Sequence, residues 1–181
     1  MRKSLKNLVL SSLFIGIAFV LQNFLGLKLW NLKFNLSIIV FILAGFYLGP
    51  LWTVAIAMLS DVLGALLVPT GVYFFPFTLT AGLSGLLFGL LGSAFVSDVH
   101  ARYPEERNAI SCFSIIGTIF LNELVVTFFL NTLFISILFG VPFGSLIGPR
   151  GLQALVNCVA YPFLAILCME IISSLEKQRL R

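Results

Sequence analysis

The chain has 181 residues, of which 60% are apolar and only 10% charged, with a formal net charge of +4. Soluble domains run near ~25% charged, and a chain this small has no core large enough to hide so much apolar surface from water. Together with a mean hydropathy of +1.10, these figures exclude a water-soluble globular domain, a disordered tail and a disulfide scaffold, and leave an integral membrane protein. A transmembrane barrel is excluded too, because no run of ~10-residue alternating stretches between polar turns occurs.

In chain order, the first predicted span covers Leu5 to Leu27. Its start, MRKSLKN before an apolar run, mimics a signal peptide, but no small-residue cleavage site follows, so the helix is expected to be retained. From Phe34 to Ser97 the only charge is Asp61, enough chain for three spans of ~20 residues. Gly49-Pro50 and the stretch Pro69-Thr70-Gly71 with Pro76 mark the breaks, since Pro disfavours helix in the residue before it. These give spans near 35–48, 51–68 and 77–97. The polar loop Ser97 to Asn108 divides the chain without making a domain boundary, so residues 1–181 read as one domain. Asn108 to Pro149 has Glu123 as its only charge and fits one long tilted helix or two short ones. The last span covers Gly151 to Ser174.

The excess of Lys and Arg on cytoplasmic loops decides the count. One span in 108–149 makes six in all and puts Arg2, Lys3, Lys6, Arg102, Arg107, Lys177, Arg179 and Arg181 on one side, leaving Lys28, Lys33 and Arg150 on the other. Two spans would erase the bias. The expected fold class is therefore an all-α integral membrane protein, a bundle of six transmembrane helices with both termini cytoplasmic. The basic residues then serve as anchors near lipid headgroups, and no nucleic-acid partner is needed.

Several chemistries are missing. There is no GxxxxGK[ST] phosphate loop and no dinucleotide fingerprint. Cys112, Cys158 and Cys168 show no metal-ligand spacing, so no metal site or cofactor is expected. Gly82-Leu83-Ser84-Gly85 reads GxSG and resembles rhomboid-type intramembrane serine proteases. Such a serine needs a histidine base in reach, and the one histidine, His100, falls in the polar loop. Asp61 and Glu123 alone make a thin proton relay.

Other features point to packing or binding. Ala81, Gly85, Gly89 and Ser93 form a small-residue stripe on helix four, and Ser12 with Gly16 a shorter one on helix one. Small residues let helices approach closely in lipid; the first stripe reads as packing within the bundle, the second as a docking face for another membrane subunit. Tyr73, Phe74, Phe75 and Phe77 crowd five positions beside Pro69, Gly71 and Pro76, more than an interfacial anchor requires, and would lid a flat aromatic ligand. Asp61 lies ~12 Å below Pro69 at 1.5 Å per residue, either bonding a polar neighbour or touching the ligand. Asn122, Glu123, Asn131, Thr132, Arg150, Gln153 and Asn157 complete a polar pocket open to the outside. A flat apolar slot with a few polar groups fits a small-molecule site.

Two stretches carry a resemblance: DVLGALLVPTGVYFFPFTLTAGLSGLLFG (Asp61 to Gly89) and LNTLFISILFGVPFGSLIGPRGLQALVN (Leu130 to Asn157). They resemble the substrate-binding S components of energy-coupling factor (ECF) vitamin transporters. The second resembles the folate type, in its Leu130–Leu133 run, the Gly140-Val141-Pro142 turn and the Pro149-Arg150 opening of the last helix. The resemblance implies a prokaryotic, multi-pass plasma-membrane subunit. It would bind a vitamin from outside without doing chemistry, and work with a transmembrane coupling subunit and two ATPases. Another vitamin, such as pantothenate, remains the alternative ligand. For folate it implies that Tyr73, Phe74, Phe75 and Phe77 enclose the rings, that Asp61 accepts from the pterin, and that Arg150 faces a glutamate carboxylate at the outer mouth. Lys28 and Lys33 would raise the local anion concentration. The family's coupling face, an alanine-x-x-x-alanine pattern, is matched by Ser12 and Gly16 in size but not in residue type.

Overall fold

The computed structural model describes residues 2–25, 28–29, 32–33, 35–69, 73–94 and 107–179. His100 and most of the polar loop predicted around it lie outside the described residues. Helix α1 spans Arg2–Val20, and its chain path continues in wider π geometry over Leu21–Leu25. A short antiparallel hairpin follows, β1 (Lys28–Leu29) and β2 (Leu32–Lys33), with Lys28 opposite Lys33 and Leu29 opposite Leu32.

Helix α2 is Ser37–Leu48. Its start is capped by Asn35, whose Oδ1 accepts from the Ser37 amide at 3.1 Å and the Ser37 hydroxyl at 2.7 Å. The predicted Gly49-Pro50 break is where the chain turns. Gly49 has φ +83°, a conformation costly to a residue with a Cβ, and Pro50 opens α3 (Pro50–Leu67), where its missing N–H costs nothing. Both the amide and the hydroxyl of Thr53 donate to the Gly49 carbonyl, at 3.2 and 2.9 Å, and fasten that corner. Helix α4 is Phe75–Ala94, with Pro76 in its first turn.

The stretch Asn108 to Pro149, which the charge bias made one span, is continuous helix from Arg107 as far as Phe139. It consists of α5 (Arg107–Asn122), a π-helical stretch Glu123–Leu130, and α6 (Asn131–Phe139). Gly140, at φ +63°, ends it. The last helix, α7, runs Phe143–Arg179, so it opens eight residues before the predicted Gly151. The cause lies at the turn. The amide and hydroxyl of Ser145 both donate to the Pro142 carbonyl, at 3.0 and 2.7 Å, and start the helix there. Pro149 is consequently inside α7 rather than at its opening, as is Pro162.

Among the described residues four helices are long and apolar enough to cross a membrane: Ser4–Leu25, Pro50–Leu67, Phe75–Gly92 and Phe113–Phe139. Helix α2 is apolar but has 12 residues, ~18 Å at 1.5 Å per residue, against a hydrocarbon core of ~30 Å. The tightest packing is among α2, α3 and α4. A Cβ on Gly92 would collide with the Gly45 backbone, and one on Gly89 with Pro50. The small residues of helix four therefore serve packing within the bundle. The core includes Ile38, Phe41, Ile56, Ala57 and Phe88, reaching across to Ile115, Ile119 and Tyr161. On α1, by contrast, Leu5, Leu8, Val9, Leu13 and Ile17 are exposed, as suits contact with lipid or another membrane chain.

Candidate binding site

The π stretch starts at Glu123, and a wide turn of this kind inside an α-helix frequently marks a functional site. Glu123 is only 2% exposed. Its Oε2 accepts from Asn157 Nδ2 of α7 at 2.9 Å, and its Oε1 from the Thr127 hydroxyl at 3.3 Å. A carboxylate has about four lone-pair positions, so two donors leave room for more. Arg150, Gln153 and Asn157 recur along one face of α7, at helical spacing. Arg150 Nη1 donates to Gln153 Oε1 at 3.2 Å. Among the described residues four side-chain atoms are buried without a hydrogen-bond partner, all on α5, α6 and α7: Asn122 Oδ1, Thr132 Oγ1, Arg150 Nε and Asn157 Oδ1. Leaving such a group buried and unpaired costs ~1–3 kcal/mol each, more where charged. A patch of this kind calls for hydrogen-bonding atoms that the chain itself does not supply.

Three rings cluster between the start of α4 and α6. Phe74 and Phe77 at the start of α4 meet Phe134 of α6 edge to face, with centroids 5.6, 6.2 and 6.4 Å apart. The Thr80 hydroxyl lies 2.8 Å from Asn131 Oδ1, tying α4 to α6. The amide of Asn35, just ahead of the short α2, donates to the Tyr161 hydroxyl at 2.7 Å. Strand β2 also contacts α7.

Some predicted site residues are brought together and others are not. Asn122, Glu123 and Gln153 join Asn157 in the buried polar region, with Asn131 and Thr132 on the adjoining α6. Arg150 was expected at the outer mouth. It lies about two turns inside α7, ~10 Å past Phe143 at 1.5 Å per residue, because the helix begins earlier than predicted, and it is 9% exposed. Phe74 and Phe77 share the ring cluster, whereas Phe75 is 54% exposed and Tyr73 is 49% exposed. Asp61 falls in a second network. Its Oδ2 accepts from Thr78 at 2.7 Å, its Oδ1 from Gln22 Nε2 at 3.4 Å, and Thr78 is 2.9 Å from the Tyr73 hydroxyl. Thr78 and Thr80 are two residues apart, ~200° around the helix, so the Asp61 and Asn131 contacts lie on opposite flanks of α4.

Sequence reasoning missed Phe134, Thr78, Thr80 and Gln22. Phe134 stands three residues after Asn131 and so shares its helix face, a signal that a search for contiguous aromatics overlooks. Gln22 looks like an ordinary polar residue at the end of an apolar span. The GxSG serine, Ser84, donates its hydroxyl to the Thr80 carbonyl one turn back, at 3.1 Å.

An apolar helical bundle with buried carboxylate, guanidinium and amide groups, and a ring cluster between two of its helices, defines a multi-span membrane protein with a polar interior. The comparisons with known proteins narrow that class. The family described as "ECF transporter, substrate-specific component" matches residues 6–175, and the chain belongs to it. The folate transporter FolT of Leuconostoc mesenteroides subsp. mesenteroides is 33% identical over 76 residues, a match covering 42% of this chain and 40% of that relative. The crystal structure of FolT bound with folic acid superposes with a TM-score of 0.70 at 25% identity, covering 91% of this chain and 89% of that one.

Proposed function

We propose that the chain is a folate-binding S component that captures folate from outside and passes it inward. The observation that carries this reading is the set of four buried, unpartnered polar atoms on α5, α6 and α7, in a bundle that also holds the Phe74, Phe77 and Phe134 ring cluster. Folate has the matching chemistry: a flat pterin rich in N–H donors, a second ring, and two carboxylates. Glu123, with the Asn122 and Asn157 carbonyl oxygens, would accept from the pterin. Arg150 would hold a glutamate carboxylate, with Gln153, Asn131 and Thr132 between. Phe74 and Phe77 would contact the rings, each such contact worth ~1 kcal/mol beyond burial, and Tyr73 and Phe75 would form the rim. The likeness to FolT supports folate over other vitamins.

In this reading residues 1–181 are one binding unit of six membrane crossings, with both termini cytoplasmic, in the plasma membrane of a prokaryote. The chain does no chemistry itself. Transport is driven by a separate transmembrane coupling subunit and two ATPases, and the coupling subunit docks on α1 at Ser12 and Gly16. A shallow groove of about 380 Å³ there, lined by Ser12, Leu13, Gly16, Ile17, Val20 and Leu21, supports that assignment. The test is a titration of the purified chain in detergent with folic acid. Saturable one-to-one binding, unaffected by excess pantothenate, is expected. Competition by pantothenate, or no folic acid binding at all, would redirect the ligand.

A further inference from the structure

We propose that Asp61 is a positioning residue for the binding site rather than a ligand contact. It would hold Thr78, and through Thr78 the Tyr73 hydroxyl, in the geometry that sets the first turn of α4. The inference rests on the reading of the buried polar region as the ligand site.

The hydrogen bonds form a directed chain. Thr78 has one hydroxyl proton and donates it to Asp61 Oδ2 at 2.7 Å. Its oxygen is then free only to accept, so the Tyr73 hydroxyl, 2.9 Å away, is the donor in that contact. One carboxylate on α3 thereby fixes a buried side chain in α4 and the residue two positions ahead of that helix. Asp61 Oδ1 adds a longer link, 3.4 Å, to Gln22 at the π end of α1. The neighbouring Asn23 sits so close to Gly64 of α3 that a Cβ there would come within 2.9 Å of its Nδ2. The end of α1 is thus seated on α3 around Asp61.

The first turn of α4 needs such support. The leading N–H groups of a helix lack intrahelical partners. Phe74 and Phe77 extend from this turn towards Phe134, joined to each other by the Phe77 amide donating to the Phe74 carbonyl at 3.0 Å. Thr80 ties one flank to Asn131, and Asp61 ties the other through Thr78. Because Asp61 meets α4 through Thr78, on the flank away from Asn131, the carboxylate shapes the site without entering it.

Two measurements test this. Hydrogen exchange of the ligand-free chain in nanodiscs should show Asp61→Ala accelerating the amides of residues 73–80 about tenfold, as loss of a buried hydrogen-bond chain allows, with residues 131–139 unchanged. Stopped-flow release should show the folic acid off-rate rising about tenfold, by the same factor for 2-desaminofolic acid. Thr78→Val should reproduce both effects, and the double variant should be no worse than either single one. Asp61→Asn, which keeps an acceptor oxygen for Thr78, should recover most of the loss. A loss confined to folic acid would make Asp61 a contact to the pterin amino group and overturn the inference, as would unchanged exchange or fully additive effects. If the parent chain fails to bind folic acid, the ligand reading falls, while the exchange experiment still decides on the clasp.

Discussion

Glu123→Gln is the sharpest test of the pterin assignment. The substitution keeps shape and volume at a position 2% exposed, so it adds no cavity. The bond with Asn157, 2.9 Å in the parent, survives if the retained carbonyl oxygen faces Asn157 Nδ2. The new amide nitrogen then stands where Oε1 accepted from Thr127 at 3.3 Å. What is lost is an acceptor able to take charge-assisted bonds from the ligand's ring N–H and amino groups. Hydrogen bonds to charged groups contribute about 1.5–3 kcal/mol, so the folic acid Kd should rise roughly tenfold to a hundredfold. Ligand-dependent quenching of protein fluorescence at fixed ionic strength would measure it. Thr127→Val serves as the control, because it removes an internal donor but nothing offered to the ligand, and should move the Kd less than about threefold. If Glu123→Gln bound folic acid as tightly as the parent, the pterin would not be held at Glu123.

Arg150→Ala should weaken folic acid binding while leaving its glutamate diamide almost unaffected, and Arg150→Lys should not restore it, since a lysine lacks the planar two-pronged donor that suits a carboxylate; competition titrations with the two ligands separate the outcomes. Gly92→Leu should lower the thermal unfolding midpoint in detergent by several degrees, because its side chain would meet the Gly45 backbone and overpacking costs ~1–3 kcal/mol. Gly16→Leu should leave that midpoint in place, since a Cβ there meets nothing within 4 Å, yet abolish co-purification with the coupling subunit; an intact complex would move the docking face elsewhere. Neutralising the paired hairpin residues, Lys28→Gln with Lys33→Gln, should lower the association rate for folate and flatten its dependence on salt without changing the release rate, as expected of steering charges, and rapid-mixing kinetics at two ionic strengths would show it.

The helix pattern was legible in the sequence because lipid and tight turns leave strong marks. Charge-free runs gave the rods, and Gly49-Pro50 and Pro76 gave two of the corners to within a residue or two. The limit of that reading is clearest at Pro149. Proline was taken as the opening of the last helix, yet the opening was set by Pro142 and Ser145 seven residues earlier. Only the surrounding packing distinguishes a proline that starts a helix from one tolerated inside it. That shift moved Arg150 from an expected surface position to a buried one, and with it the place where an anionic group would be met. The two carboxylates illustrate the same limit. Asp61 and Glu123 are alike in sequence, single acids in apolar runs. The structure gives each two donors, Thr78 and Gln22 to the first and Asn157 and Thr127 to the second. Only Glu123 has neighbours, Asn122 and its partner Asn157, whose carbonyl oxygens still lack hydrogen bonds. Because a buried polar group is costly unless it is paired, the residue whose surroundings remain unpaired is the better candidate to meet a ligand. Hydropathy could place both carboxylates in the membrane, but telling them apart required knowing what faces each across the helices.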